Sequence, residues 1–237
     1  MEPEEYAKMS QAEARMWWYR AVHARLLDAL TEQPGPILDA GCGTGGFLAL
    51  LRRARPSQET FGLEWHAHAA CLAAEKSGRP IARGSINTLP FAAGVFGTVI
   101  ATDVLCHAAV DPPAALAEVR RVLRPGGRLI VNMPAFMALM SAHDTAVHNI
   151  RRQTAGETRA MLEAAGFRIV RLGYWNGLLL PLMFLRRKVL TAPPARSDVA
   201  TFPPWVDGMF HAITELERRL PFALPAGGSV LAIAERP

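Results

Sequence analysis

Four glycines within six residues, GCGTGG at 41–46, place the strongest constraint on how this chain can fold. The apolar run before them, PILDAG, is typical of a buried strand, and the stretch after them, GGFLALLRRA, is typical of a helix. The spacing G-x-G-x-x-G lets the backbone turn sharply and approach a ligand closely. A strand, a glycine loop and a helix in this order predict the first unit of a parallel α/β sheet, with a ligand site at the loop.

Strand-like and helix-like segments continue to alternate along the chain, which is typical of a sheet covered by helices on both faces. We therefore predict an α/β fold: a Rossmann-like, mostly parallel sheet of seven strands whose last strand is antiparallel. The remaining predicted strands are TFGLEW, PIARGS, GTVIATDVL, GRLIVNMP, FRIVRLGYW and SVLAIAER, and the main predicted helices are AHAACLAAEKSG, PAALAEVRRVLRPGG, ETRAMLEAAG and VDGMFHAITELERRL.

The chain divides into three predicted parts. Residues 1–35 form an N-terminal helical cap, whose helix over 10–31 begins at a capping box of Ser10 and Glu13. Residues 36–176 and 228–237 form the core, and residues 177–227 form a helical lid inserted before the last strand.

Composition fits a cytoplasmic location. Half of the 237 residues are hydrophobic, which is enough for a packed core, and the net charge of +5 allows nucleic-acid or anionic-membrane contact without requiring it. The three cysteines, Cys42, Cys71 and Cys106, have no paired spacing, so neither a disulfide framework nor a zinc cluster is expected. The polar first residues do not predict a secretory signal.

One apolar-basic stretch, GLLLPLMFLRRKVL at 177–190, has two interpretations. It is too short to span a bilayer, which needs about 20 apolar residues. Either it packs over a substrate pocket, or it makes peripheral contact with the inner face of the membrane through its apolar side and basic flank.

Two acids complete the predicted ligand site. Asp39 precedes the glycine loop and can hold a polar ligand tail, and Glu64 ends the second strand, where a carboxylate can accept both hydroxyls of a ribose. Glycines and acids alone fit NAD as well as other adenosine ligands.

The strings ILDAGCGTGGF, GLEW, GSINTLPF, VIATDVLCH and VLRPGGRLIVNMP follow one another at the spacing of a known family. Over residues 36–172 the chain resembles class I S-adenosylmethionine-dependent methyltransferases of the type 11 group. The resemblance implies S-adenosylmethionine as cofactor, with the glycine loop around its methionine part, Glu64 on the ribose and the segment after the fourth strand facing the sulfonium. The implied cofactor-binding residues are Asp39, Ala40, Gly41, Cys42, Gly43, Glu64, Trp65, Ser85, Ile86, Thr102 and Asp103.

Three positions depart from the family pattern. Ser85 stands where an Asp commonly reaches the adenine amino group, and Gly97 replaces the Asp of the usual Phe-Asp pair. Cys106 replaces a Glu that helps to bind a metal in some members. Because a thiol is a poor ligand for magnesium, no metal is predicted.

Both ends of the chain resemble one subset of the family. ARMWWYRAVHARLL is similar to that subset's opening helix HWWFRGRR, and the segment from MPAFMALMSAHD to AAGF is similar to its acceptor segment. The subset is associated with sugar, lipid and natural-product acceptors, so the acceptor stays open.

Methyl transfer to an oxygen needs alignment and a base, and histidine is the natural base near neutral pH. The candidates are His107 after the fourth strand and His143 and His148 after the fifth, each of which has a packing role as its alternative. Asp144 is predicted to orient a histidine or hold an amine. Arg151 and Arg152 are predicted to bind an acidic substrate, or else to pair with Asp144 or Glu157.

Trp17 and Trp18 are adjacent, so on a helix they point about 100° apart. We expect one of them to be buried in the core and the other to close over the cofactor or acceptor. Packing of both is the alternative.

The sequence therefore predicts a methyltransferase that acts on a small-molecule or lipid- or sugar-linked acceptor, most readily at oxygen. An NAD-dependent oxidoreductase is the alternative, although no Tyr-x-x-x-Lys constellation stands out, and a non-catalytic S-adenosylmethionine-binding partner protein is a third hypothesis. Nucleic acid is not predicted as a partner because basic and aromatic residues are not interleaved. The sequence leaves the oligomeric state open.

Overall fold

The computed structural model describes residues 3–31, 33–188 and 202–237. Seven strands form one sheet in the order β3-β2-β1-β4-β5-β7-β6. Neighbours among β1 to β5 are parallel, whereas β7 lies antiparallel between β5 and β6, as predicted. The strands are β1 Ile37–Ala40, β2 Thr60–Glu64, β3 Ile81–Arg83, β4 Phe96–Thr102, β5 Leu123–Pro134, β6 Arg168–Trp175 and β7 Ser229–Glu235.

Helices cover both faces of the sheet and bury an apolar core on each side. Leu38, Val99 and Leu129 face one core, and Ile37, Ile100 and Ile130 face the other. The central strands are apolar on both faces because neither face meets water. The described helices are α1 Pro3–Ala12, α2 Trp17–Ala29, α3 Gly46–Ala54, α4 Ala67–Ser77, α5 Pro112–Val122, α6 Ala142–Ala146, α7 Ala155–Ala164, α8 Leu180–Lys188 and α9 Pro204–Arg218, with a 3₁₀ turn at Met137–Leu139.

The N-terminal region differs from its prediction. It forms two helices, and Ser10 lies inside α1 instead of at a helix start, so the predicted capping box is wrong. Glu13 is buried, and its carboxylate forms an ion pair with Lys76 Nζ at 2.6 Å. The helical conformation is interrupted after α1. Helix α2 starts at Trp17, and the backbone N–H of Trp17 donates to Asp207 Oδ1 at 2.8 Å.

Two strand boundaries also differ. The predicted fourth strand runs to residue 105, but β4 ends at Thr102 because Asp103 has a φ of 53°, outside the β region. The segment LRPGG was predicted as the end of a helix, but it belongs to β5. Phe96 already pairs with Leu123 there, before a register shift in the β4–β5 ladder.

The described part of the 177–227 insertion is helical. Its helix α9 packs on α2, where Phe210 meets the ring of Trp17 edge-on at 5.6 Å and Glu217 pairs with Arg25 at 3.4 Å. Residues 189–201, which include the end of the apolar-basic stretch, lie outside the described residues. Within the described ranges, no helix combines the length and hydropathy that crossing a bilayer requires. The division into cap, core and lid stays a prediction.

Candidate active site

The glycine loop lies at the carboxyl edge of the sheet, where β1 passes into α3. Gly41 has a φ of 98°, and its N–H donates to Leu63 O at 2.8 Å, which holds the loop against β2. Gly45 has a φ of 83°, and a Cβ there would lie 2.7 Å from the backbone of Ala73. Only glycine fits such positions without strain, so the loop depends on glycine for its conformation as well as for ligand access.

A cavity of about 750 Å³ opens above this loop. Of the predicted cofactor residues, Ala40 alone does not line it, because Ala40 is fully buried in β1 and pairs with Leu63. The predicted residues that do line it are Asp39, Gly41, Cys42, Gly43, Glu64, Trp65, Ser85, Ile86, Thr102 and Asp103.

Glu64 is held at the end of β2 by backbone donors. Its Oε2 accepts from Gly43 N at 3.0 Å, and its Oε1 accepts from His66 N at 2.9 Å. The hydroxyl of Tyr6, on α1, donates to Oε1 at 3.5 Å. Burial raises the pKa of Glu64 and the two backbone bonds oppose the rise. Glu64 is thus a fixed acceptor on the cavity wall.

Carboxylates dominate the charge of this cavity. Burial, together with Glu13 and Glu64, raises the pKa of Asp39 to about 7. By contrast, burial lowers the pKa of both His23 and His107 to about 4, so these two imidazoles are neutral at pH 7. Because a group of carboxylates is stabilised by a cation, the cavity suits a positively charged ligand better than a polyanion.

A second cavity of about 190 Å³ adjoins the first. The two share Trp18, Tyr19, Asp103, His143 and Asn149 as lining residues. The walls of the second cavity are largely apolar, and its further lining side chains include Met16, Trp17, Pro134, Asp144, Arg152, Asn176, Met183 and Phe202.

Asp103 stands at the junction of the two cavities. Asn132 Nδ2 donates to its Oδ1 at 2.9 Å, and Trp175 Nε1 donates to Asn132 Oδ1 at 2.8 Å, which fixes the amide. Burial raises the pKa of Asp103 to about 7, against the opposing effects of Asn132 and Arg152. The carboxyl group that directly follows β4 therefore holds its proton more strongly than an ordinary aspartate does.

Asp144 and Arg152 form a buried ion pair on the wall of the second cavity. Arg152 Nη2 donates to both carboxylate oxygens, at 2.9 and 3.0 Å, and its Nη1 donates to Ala135 O at 3.0 Å. Asp144 also accepts from Ser141 in a capping box. Burial raises the pKa of Asp144, but Arg152 and Ser141 outweigh burial and lower it. The pairing predicted as an alternative for Arg152 is thus present.

The three predicted histidines reach the same region. His107 forms an isolated bridge with Asn149, and Ala108 N donates to His148 O at 2.9 Å, so the loops after β4 and β5 are tied together. His107 and His148 line the first cavity, and His143 lines both. Arg151 lines neither cavity and instead donates from Nη1 to His107 O at 2.6 Å.

Trp17 and Trp18 differ in how deeply they are buried and in which cavities they line. Trp17 is 9% exposed and lines only the second cavity. Trp18 is half-buried, lines both cavities and contacts Trp175, with ring centroids 6.3 Å apart. The two side chains point in different directions, as adjacent helical positions require.

Several lining residues were not predicted as site residues. Tyr6 and Met9 on α1 cover the first cavity, and His23 and Asn149 also line it. The spacing of Tyr6 and Met9 on one helical face is a signal in the sequence, but it does not say which surface that face covers. No group of three metal-binding side chains occurs among the described residues, and the prediction of no metal stays a prediction.

Comparisons with known proteins agree with this architecture. Residues 38–131 match a family model described as a methyltransferase domain. The chain is 31% identical over 235 residues to a trans-aconitate 2-methyltransferase of Deinococcus radiodurans, covering 97% of this chain and 77% of that protein. It is 29% identical over 163 residues to an O-methyltransferase of Penicillium expansum, covering 64% and 57%.

A solved structure shares the fold at lower identity. The methyltransferase in a Haloferax volcanii complex with the Trm112 activator superposes with a TM-score of 0.68 at 20% identity, covering 99% of this chain and 95% of that one. Three curated relatives are longer than the matched region, and this chain spans 36 to 65% of their length.

A Rossmann-like sheet whose glycine loop borders an acid-lined cavity defines a class of nucleotide- and nucleoside-binding enzymes. The match to a methyltransferase over 97% of this chain places the chain within that class. The protein belongs to the class I S-adenosylmethionine-dependent methyltransferases.

Proposed function

We propose that the protein transfers a methyl group from S-adenosylmethionine to a small-molecule or lipid- or sugar-linked acceptor. The carboxylates of the first cavity carry this proposal. S-adenosylmethionine brings a sulfonium and an ammonium, and Asp39, Glu64 and Asp103 line the space that would hold them. The pyrophosphate of NAD would bring negative charge to the same carboxylates, which disfavours the oxidoreductase alternative.

Six of the predicted cofactor residues have a specific role in this proposal. Glu64 accepts the ribose hydroxyls, and Asp39 faces the ammonium of the methionine part. Gly41 and Gly43 allow the backbone to approach that part, while Ser85 and Ile86 flank the adenine. The cofactor supplies an electrophilic methyl group, and the protein supplies alignment and proton transfer.

We favour oxygen as the acceptor atom. The histidine candidates for the base, His107, His143 and His148, all line the first cavity, and His143 borders the second as well. The matched O-methyltransferase of Penicillium expansum is consistent with this choice. Asp144 is the partner of Arg152, so we propose that it positions the wall of the second cavity.

Calorimetry with three ligands tests the cofactor. We expect S-adenosylmethionine and S-adenosylhomocysteine to bind and NAD to show no heat of binding, because only NAD places phosphate against the carboxylates. Tight binding of NAD would refute the proposal.

The non-catalytic hypothesis has a separate test. A partner protein that only binds S-adenosylmethionine would keep its function after His143→Ala and His148→Ala together, with no acceptor methylated by the wild type. Any methylated product that mass spectrometry finds from the wild type eliminates that hypothesis.

We keep peripheral membrane contact through 177–190 as a proposal. The side chains of Leu182, Phe184 and Leu185 on α8 are 44 to 51% exposed, and the sequence continues with Arg186 and Arg187. An exposed apolar helix beside basic residues is suited to an anionic bilayer surface.

A further inference from the structure

Of the two carboxylates that line the second cavity, Asp103 differs from Asp144 in having one oxygen fixed and the other available. Asn132 holds Oδ1 at 2.9 Å. Oδ2 accepts no hydrogen bond from the described residues, and it keeps part of its surface exposed where Asp103 lines both cavities. Its backbone φ of 53° is one that Asp adopts more readily than most residues. Such unusual backbone conformations cluster at functional sites.

The second cavity has no unmatched permanent cation among its described lining residues. Arg152 is the one arginine or lysine there, and Asp144 matches its charge through two short bonds. The carboxylate of Asp103 is therefore the charge that an entering molecule meets. An anionic molecule would be repelled by it, whereas a neutral hydroxyl could donate to it.

The size and walls of this cavity limit what can enter. Its volume of about 190 Å³ equals the liquid volume of roughly six water molecules. Met16, Met183 and Phe202 make it largely apolar. Two buried polar atoms on its lining residues, Trp17 Nε1 and Asn176 Oδ1, have no hydrogen-bond partner among the described residues. The cavity thus suits one ring or a short chain that carries polar groups.

We propose that the second cavity binds the acceptor as an uncharged, hydroxyl-bearing molecule, and that Asp103 Oδ2 accepts the proton of the reacting hydroxyl. This inference rests on the proposed methyltransferase function. In this inference the base is Asp103, directly after the end of β4. The three histidines then have positioning or lining roles instead.

The step balances in atoms and charge. The acceptor oxygen forms a bond to the methyl carbon as the carbon–sulfur bond breaks, and the electron pair of that bond stays on sulfur. The hydroxyl proton passes to Asp103 Oδ2. One positive charge on sulfur and one negative charge on Asp103 disappear together, so the buried site carries no additional charge after the step.

The pKa of Asp103 supports this role, because a base is most effective when its pKa lies near the working pH. His107, with a pKa lowered by burial to about 4, is a much weaker base. The other charged or titratable groups around Asp103 are Asp144, Arg152, His143, His107, Tyr19 and the thiol of Cys106, with Asp39, Glu13 and Glu64 across the first cavity.

The first test measures the proton on Asp103 directly. Protein labelled with ¹³C at aspartate carboxyls is titrated by NMR, and Asp103→Asn identifies the resonance, since Asn also tolerates a positive φ. In the S-adenosylhomocysteine complex we expect a pKa near 7. With S-adenosylmethionine we expect it to fall by about one or more, because a sulfonium lies nearby. Asp111→Asn, at an exposed position, is the matched control.

An ordinary aspartate pKa in the S-adenosylhomocysteine complex would overturn the inference, as would equal pKa values in the two complexes. S-adenosylhomocysteine binding is established first by calorimetry. If it fails, the proposed function fails. If it succeeds and the carboxyl titrates normally, only the role of Asp103 fails.

The second test measures the charge preference of the acceptor cavity with phenol and benzoate as probes. In the S-adenosylhomocysteine complex at pH 8 we expect phenol to bind at least about tenfold more tightly than benzoate. The preference should decline toward pH 5 in the wild type and largely vanish in Asp103→Asn. Benzoate or trans-aconitate binding as tightly as phenol would overturn the inference, and so would phenol that does not bind up to its solubility limit.

Discussion

At the scale of single residues, the site depends on carboxylates whose surroundings are fixed by backbone. Glu64 is 6% exposed, and its two oxygens accept separate backbone N–H groups from the glycine loop and from the start of α4. The same carboxylate thus shapes the loop and faces the cavity. Asp103 has the opposite arrangement, with a side-chain amide on one oxygen and a cavity at the other.

Glu64→Gln tests the proposed ribose contact. The amide cannot accept at both former oxygens, and we expect the affinity for S-adenosylhomocysteine to fall by about tenfold to a hundredfold, as for loss of a hydrogen bond to a charged group. Calorimetry measures the change. Glu59→Gln, one strand length earlier and exposed, is the matched control. Affinity equal to that of the wild type would mean that Glu64 does not contact the cofactor.

At the scale of elements, α9 is joined to the core by one buried acid. Glu217 accepts from Asn176 N at 2.5 Å, from Gly177 N at 2.8 Å and from Leu178 N at 3.0 Å, and it pairs with Arg25 on α2. The guanidinium of Arg25 also lies 4.6 Å from the centre of the Trp175 ring. Glu217 therefore connects α9 both to α2 and to the chain that leaves β6.

Glu217→Gln should destabilise the protein by about 3 kcal/mol, because it leaves the buried charge of Arg25 without its partner. Urea unfolding followed by circular dichroism gives the change in the free energy of unfolding. Glu215→Gln is the matched control: its partner Arg218 is partly exposed, so we expect a loss below about 1 kcal/mol. Equal losses in the two variants would contradict this account.

The elements also mark the limit of sequence-based prediction. Periodicity predicts the central strands well because β1, β4 and β5 are apolar on both faces. It failed at LRPGG, where a helix-like pattern runs into a strand, since pairing with β4 decides the boundary. Periodicity failed again at Ser10. The interruption between helices α1 and α2 is associated with the ion pair of Glu13 and Lys76, which are distant in sequence.

The same limit applies to the site. The glycines, the acids and the family resemblance together predicted cofactor residues of which all but Ala40 border the first cavity, although many other residues that border it were not predicted. The second cavity was not predictable, because it forms where α2, the loops after β4 and β5, and the insertion meet. Asp103 was predicted as a cofactor residue, but its position between two cavities depends on Asn132 and Trp175, which are distant in sequence.

At the scale of the whole molecule, the net charge of +5 bears on membrane contact. We expect binding to vesicles of phosphatidylglycerol and phosphatidylcholine, weakening with salt, and lost on replacing Phe184 and Leu185 by serine. Phe222→Ser, at a more exposed site elsewhere, is the control. Co-sedimentation measures the bound fraction. If the wild type stays in the supernatant at low salt, the apolar-basic stretch has no role at membranes.

The helix that covers the cofactor cavity also has a consequence for synthesis. Tyr6, Met9 and Glu13 leave the ribosome before any of the sheet, yet Glu13 finds its partner in Lys76, 63 residues later. Helix α1 is thus synthesised first, and it docks only after α4 has been synthesised. Before that point the nascent chain contains β2 but lacks a docked α1, so the covered cavity can assemble only after α4 has emerged.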